Sequence, residues 1–426
     1  MGKNRLVVGC QWGDEGKGKI VDLLAAEADI TARFQGGANA GHTIVVDDTK
    51  YILHLIPSGI IHSGKICAIG NGVVLDPFAF KEELDLLVER GIDYTDRLWV
   101  SPATNLVLPY HKLIEAVEEK SRETANLDTT MRGIGPAYVD KVARQGIRVV
   151  DIFAPDRLKR RLEYQRVIKD KYLTGSDDER ADLERTYHEL IKLTDLFRTM
   201  VTDVSLALHK AFKEGKTILF EGAQGAMLDI DLGTYPFATS SNTTTGGALT
   251  GLGIGVRMID EVVGVVKAYT TRVGAGPFPT ELVDDLGEEL RRQGDEYGAT
   301  TGRPRRCGWL DLVFLRHVVR INGVDSIAIT KLDVLDDLPA IKVCTGYKLG
   351  DRQLSQVPLD LAELGHVKPV YTELPGWLSD TTGTTDFGAL PQKAQDYLNF
   401  IADDLGVKIR LVSTGAKRKE TITILT

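Results

Sequence analysis

An apolar run, RLVVGC, gives way over Gln11–Lys19 to QWGDEGKGK, and apolar residues then recur at helical spacing as Ile20, Val21, Leu24, Ala25 and Ala28. A strand, a glycine loop and a helix in that order form the opening unit of a parallel α/β sheet, with the helix N-terminal amides turned toward an anion. From Gly13 the loop fits the first seven positions of the phosphate-binding pattern G-x-x-x-x-G-K. The eighth position, where a Ser or Thr normally ligates magnesium, is Ile20. Asp14 and Glu15 add two carboxylates to a loop whose pattern holds phosphate.

Further strands are expected at KICAIG, RLWVS, KTILFEG, EVVGVVKAYT and DSIAITKLD, with helical patterns between them. The fold class expected is α/β: a large, mostly parallel sheet flanked by helices, with helical insertions. A second helix should start at Asp76 as N-cap with Pro77 in its first position, bury Leu84, Leu87 and Val88 on one face, and stop at Gly91. Residues 1–426 read as one large α/β domain carrying a mainly helical insertion at about 102–213. Within it, Leu183, Tyr187, Leu190, Thr194, Phe197, Val201, Val204 and Leu208 follow a 4,3 spacing. Helices broken near Thr194 and Asp195 and packed on the sheet account for that spacing better than a coiled coil does.

A net charge of -8 argues against a nucleic-acid-binding surface. No apolar run approaches the roughly 18 residues of a membrane span. MGKNRLVV runs into the first strand without an export signal, so a cytoplasmic location is expected. Cys10, Cys67, Cys307 and Cys344 lack C-x-x-C spacing and read as reduced core thiols.

Far from the glycine loop, SIAITKLD (Ser326–Asp333) ends in T-K-x-D. A carboxylate at a strand mouth can accept from both the ring N–H and the exocyclic amine of guanine, while a Lys stem packs on the base. QGGANAGHTI reads either as a hairpin turn or as a loop that places Asn39 and His42 among small residues whose freed amides suit a phosphate in transfer. TTMRGIGPAYVDKVAR and TTGRPRRCGW set Thr pairs beside arginines whose planar forks match carboxylate and phosphate.

GDEGKGK, NAGHT, TTMRGIGPAY, EGAQG, TSSNTT, TTGRPRR, TKLD and STGAKR together resemble, in order and over the whole chain, the successive motifs of the adenylosuccinate synthetase family. That resemblance implies a fold related to P-loop NTPases, a homodimer, magnesium, and a GTP-dependent ligase joining IMP and L-aspartate through a 6-phosphoryl-IMP intermediate. It implies Asp14 as catalytic base and, with the Gly41 carbonyl, magnesium ligand; the magnesium role makes Ile20 intelligible. His42 would be the acid or donor at the departing phosphate. The IMP positions would be Asp14, Lys17, Asn39, Thr130, Gln224, Thr239 and Arg303, with Arg144 reaching across the dimer. Thr300, Thr301 and Arg303 would receive aspartate. GTP would be held by Gly13, Glu15, Gly16, Lys17, Gly18, Lys19, Gly41, His42 and Thr43, with Arg305, Lys331, Asp333, Ser413 and Gly415. Pro304 stands where some members carry another Arg, which removes one charge contact.

A regulatory GTPase would use the phosphate loop and T-K-x-D but leave Asp14, His42 and the arginine loops without a task. A GTP-dependent kinase or ligase with a different acceptor would use more of them.

Overall fold

The computed structural model describes residues 2–46, 49–121, 129–298, 302–358 and 360–424. Its main sheet has nine strands: β1 (Arg5–Gly9), β2 (Ile30–Arg33), β3 (Ile66–Ile69), β4 (Leu98–Val100), β5 (Ile218–Glu221), β6 (Glu261–Lys267), β7 (Ser326–Thr330), β8 (Lys408–Ser413) and β9 (Thr421–Thr423). They lie in the order β9-β8-β7-β6-β1-β5-β2-β3-β4. Every pairing is parallel except β8 with β9 at the edge. All six expected strands are present. Helix α1 (Lys17–Ala25) follows β1 directly.

Alternate residues of β1 serve opposite faces, as a pleated strand requires. Val7 packs with Ile20, Val21, Leu24, Ala25 and Ala28 under α1, and Leu6 and Val8 face the larger core on the other side. Burying Ile20, Val21 and Leu24 contributes about 1.5–3 kcal/mol each, which fixes α1 and so aims its N-terminus.

The second helix, α2 (Pro77–Glu89), has the expected start: the Asp76 carboxylate accepts from the Phe78 and Ala79 amides at 3.0 and 3.1 Å. Gly91 takes the left-handed conformation beyond its end. One expectation fails. Leu84 and Leu87 are buried, but Val88 is 59% exposed. Phe80 and Glu83 complete the inward stripe with Leu84 and Leu87, and one further residue past Leu87 rotates Val88 into solvent.

Between β4 and β5 the chain is mostly helical. The 4,3 spacing resolves into helices at Leu183–Lys192, Thr194–Arg198 and Val204–Lys213, interrupted at Leu193 and again after Arg198. Leu183, Leu190 and Phe197 join one core, with Phe80 and Tyr110, whereas Val204 and Leu208 belong to the sheet core. One continuous coiled-coil seam would not divide in that way.

The four cysteines are free and buried. Among the described residues no helix is long and apolar enough to cross a membrane.

Candidate active site

In a parallel sheet the loops leaving the carboxyl ends of the strands share one edge. Here that edge receives the glycine loop from β1, Gln35–Gly41 from β2, Gly222–Gly225 from β5, the T-K-L-D loop from β7 and the S-T-G loop from β8. Five segments spread between Gln11 and Gly415 are thereby brought together.

In the glycine loop Gly13, Asp14 and Gly16 all have positive φ, so successive amides turn inward as an anion nest. Glu15 fills that nest. Its fully buried carboxylate accepts from the amides of Gln11 at 3.0 Å and Gly13 at 2.9 Å, and Lys17 Nζ lies 2.5 Å from its other oxygen. Asp14 points the opposite way. Its side chain is 37% exposed, and Oδ2 accepts from Arg305 Nε at 2.7 Å. The two loop carboxylates are thus divided between an inner one that organises the amides and the cation, and an outer one that faces the site. Two neighbouring glycines are needed for close approach: a Cβ at Gly225 would lie 2.2 Å from the Gln11 carbonyl, and one at Gly18 would lie 2.9 Å from the Thr43 carbonyl.

Gly18 therefore lets α1 approach the strand His42–Val46. His42 is buried, with Nδ1 2.6 Å from Glu221 Oε1 at the end of β5. Ser58 completes the cluster, donating its amide to Glu221 Oε2 at 2.8 Å and its hydroxyl to Oε1 at 2.9 Å. Burial pushes the Glu221 carboxyl up, but the bonds from His42 and Ser58 more than offset this and hold it below the usual carboxylate range. With Glu221 ionised, Nδ1 carries a proton. Nε2 is buried with no partner.

Asn39 and Gln224 also meet. Gln224, in the left-handed conformation, donates to Asn39 Oδ1 at 3.1 Å and accepts from Gln35 at 3.0 Å. Gln35 is pinned by a reciprocal pair with the Ala223 backbone at 2.8 and 2.9 Å. Thr239 is tied to the same region through its amide, 2.8 Å from the Leu228 carbonyl. Thr130 is exposed, and Arg303 is half-buried. Arg144 is set apart, exposed and left-handed just past the helix Ile134–Val142. Thr300 and Thr301 lie outside the described residues.

Past the end of β7, the cleft beside Asp333 encloses about 260 Å³ and is lined by Gln293, Val334, Asp336 and Thr382 among others. Asp333 Oδ1 is buried and unpartnered, and burial raises its carboxyl above the ordinary range. Lys331 adopts φ 61°, and its ammonium donates to the Gly294 carbonyl. Lys19 turns toward this end of the site: Nζ donates to Ser413 Oγ at 2.8 Å, to the Gly415 carbonyl at 2.8 Å and to the Glu420 carbonyl at 2.7 Å. Burial lowers it to about 8. Arg418 grips Asp22 of α1 with two bonds of 2.7 Å, so α1 and the S-T-G loop are strapped together at two points.

Glu221, Gln35 and Glu296, the last bound to Arg305, were not singled out from sequence, although the first two lie inside quoted motifs. An exposed carboxylate, a buried imidazole, a glycine loop with its Lys, paired amide side chains and a buried, unpartnered carboxylate thus share one edge of the sheet, a set of groups suited to phosphoryl transfer.

The sequence model of the family described as adenylosuccinate synthetase matches residues 6–422. Adenylosuccinate synthetase of Thermodesulfovibrio yellowstonii is 50% identical over 418 residues, 98% of each chain, and that of Hahella chejuensis is 51% identical over 429 residues, covering 100% of this chain and 99% of the relative. The solved structure of fully ligated adenylosuccinate synthetase from Plasmodium falciparum superposes with a TM-score of 0.92 at 41% identity, covering all of both chains. A cyanophage succinoaminodeoxyadenylate synthetase, at 22% identity and a TM-score of 0.63, shares the fold. The chain belongs to the adenylosuccinate synthetase family, whose GTP-dependent carbon–nitrogen ligases convert GTP, IMP and L-aspartate to GDP, phosphate and adenylosuccinate by way of 6-phosphoryl-IMP in AMP biosynthesis.

Proposed function

We propose that Asp14 is the base and His42 the acid of the phosphoryl transfer that starts this reaction. The 6-oxo group of IMP is a poor leaving group, and the ring N–H beside it must be lost before the oxygen becomes nucleophilic. Asp14 takes that proton, and the electron pair moves onto O6, which attacks the γ-phosphorus of GTP. His42, protonated at both nitrogens, donates from Nε2 to the β-phosphate oxygen that departs with GDP. The amine of aspartate then adds at C6, and phosphate leaves. The observation that carries this reading is the buried, unpartnered Nε2 of a ring whose other nitrogen is held by Glu221.

Around these two groups, the loop amides that Glu15 does not take receive phosphate, with Lys17 beside them, Asn39, Thr130, Gln224, Thr239 and Arg303 receive IMP, and Thr300, Thr301 and Arg303 receive aspartate. Guanine is read by Asp333 and Lys331 with Ser413 and Gly415. The donors suit a magnesium ion carried on nucleotide phosphates: the partly exposed Asp14 carboxylate and the Gly41 carbonyl would hold it. Magnesium takes one or two carboxylates and completes its shell with phosphate oxygens and water. Bound there, it would neutralise phosphate charge. Free, buried cysteines favour a cytosolic place of action.

His42→Asn should lower kcat by about 10²–10⁴-fold while leaving each KM nearly unchanged, because the bond strengthens as charge develops on GDP. Glu221→Gln should act in the same direction by about 10–100-fold, since a carboxamide no longer favours the doubly protonated ring. Steady-state kinetics decides between roles: a rise confined to KM would make His42 a binding residue.

Arg144 is assigned to the partner's site in a two-fold dimer. Its exposure, just past the exposed Val139 and Val142 of the preceding helix, supports that reading. Mixing inactive Arg144→Leu with inactive Asp14→Asn should restore activity, because one site per heterodimer then holds both groups. Absence of recovery after demonstrated subunit exchange would remove Arg144 from the partner's site.

A further inference from the structure

Beneath the arginine loop lies a carboxylate with three cationic neighbours. Glu296 is fully buried in the segment that follows the helix Asp285–Gln293. Its Oε1 accepts from Lys267 Nζ at 2.7 Å and from the Tyr269 hydroxyl, and its Oε2 accepts from an Arg305 terminal nitrogen at 2.7 Å. Lys331 Nζ is 3.9 Å from Oε1. The backbone reinforces the contact, since the Arg305 amide donates to the Glu296 carbonyl at 2.9 Å. Burial alone would raise this carboxyl; Lys267, Lys331 and Arg305 instead hold it down at about 2. The three cations come from the end of β6, the T-K-L-D loop and the arginine loop.

Buried Lys267 is partnered by Glu296 Oε1 and Thr271. Those contacts leave Glu296 Oε2 to Arg305, whose Nε lies 2.7 Å from Asp14. If Asp14 were the sole anchor, Arg305 would be released whenever that carboxylate turned to another partner. A guanidinium can hold two anions at once, because its donors point in fixed, divergent directions.

We infer that Glu296 is a positioning residue that keeps Arg305 in the nucleotide site independently of Asp14 and in register with Lys331 of the base-reading loop. The inference rests on the reading of Arg305 as a GTP-side residue. Glu296 touches no substrate in this account; it acts through Arg305.

The test is a double-mutant cycle on the full-length enzyme, using Glu296→Gln, Arg305→Leu and both together. Gln preserves shape and an acceptor for Lys267 and Tyr269, but turns an NH₂ toward the Arg305 donor. Glu296→Gln should raise the KM for GTP by about 10-fold, the effect of losing a charge-assisted bond, with kcat much less affected. Calorimetric binding of a non-hydrolysable GTP analogue should weaken by the same factor. The double variant should be no worse than Arg305→Leu alone, because both changes remove one function. If Glu296→Gln does not fold, Lys267→Met/Glu296→Gln, which removes both buried charges, carries the same comparison. Losses that multiply, or a fall in kcat with the GTP KM unchanged, would make Glu296 structural and overturn the inference. Arg305→Leu with no effect on GTP would overturn the reading of Arg305 and this inference with it; an impaired Arg305→Leu beside a normal Glu296→Gln would overturn this inference alone.

Discussion

Asp14→Asn is expected to fold normally and to lose nearly all turnover. The fold should survive because Asp14 has φ 57°, a left-handed conformation that Asn tolerates at least as well as Asp, and because its side chain is partly exposed at the loop tip. The amide oxygen can still accept from Arg305. What the amide cannot do is take a proton from the IMP ring, and it is also a weaker magnesium ligand. General base catalysis contributes about 10²–10⁴-fold, and on the proposed assignment a weakened magnesium contact would add to that. A variant with an unchanged melting temperature and more than about a tenth of wild-type turnover would remove Asp14 from the role. Glu15 is no substitute, because both of its oxygens are engaged inside the loop.

Asp333→Asn is expected to move the nucleotide preference from GTP toward XTP. A carboxylate offers only acceptors, which suits the ring N–H and exocyclic amine of guanine; Asp333 lines a cleft of about 260 Å³, and its Oδ1 is buried and unpartnered. Xanthine carries a carbonyl in place of the amine, so acceptor would face acceptor, and the native enzyme should reject XTP by up to about 10⁴-fold. Asn supplies a donor for that carbonyl while its oxygen still accepts from the ring. ATP should remain poor in both proteins, since adenine lacks the ring N–H. The measurement is kcat/KM for the three nucleotides at saturating IMP and aspartate. Equal losses for all three would mean that Asp333 supports its loop and does not read the base.

Both residues stand out in sequence because each lies in a short motif, a glycine loop after a strand and a Lys-x-Asp at a strand mouth, and the role proposed for Asp14 came with the family resemblance. Ile30–Arg33 was missed because ITAR is brief and ends in arginine. Arg33 is fully buried, its guanidinium satisfied by the carbonyls of Gln35, Gly37 and His54. Nothing local announces such a site. KIRLVS was missed for a similar reason, since Lys408 and Arg410 interrupt its apolar run. Glu221 and Glu296 show the same limit at the site. Glu221 meets His42 across 179 positions, and Glu296 sits in RRQGDEYG, which reads as a solvated charged turn until Lys267, Tyr269 and Arg305 converge on it. Lys19 falls between the two cases. Its place in the phosphate motif suggested phosphate, but its bonds run to the S-T-G loop, because α1 and β8 approach only in the folded sheet.

In the proposed reaction O6 of IMP, with its ring proton removed at Asp14, attacks GTP. Carrying out the reaction with IMP labelled with ¹⁸O at the 6-oxo position, together with GTP, magnesium and aspartate, and analysing the phosphate by mass spectrometry, follows that oxygen directly. The C6 oxygen should leave as part of the phosphate, so each phosphate formed with adenylosuccinate should carry one ¹⁸O. Unlabelled phosphate, with the ¹⁸O recovered in water, would mean that GTP is hydrolysed and that the oxygen of IMP never becomes the nucleophile.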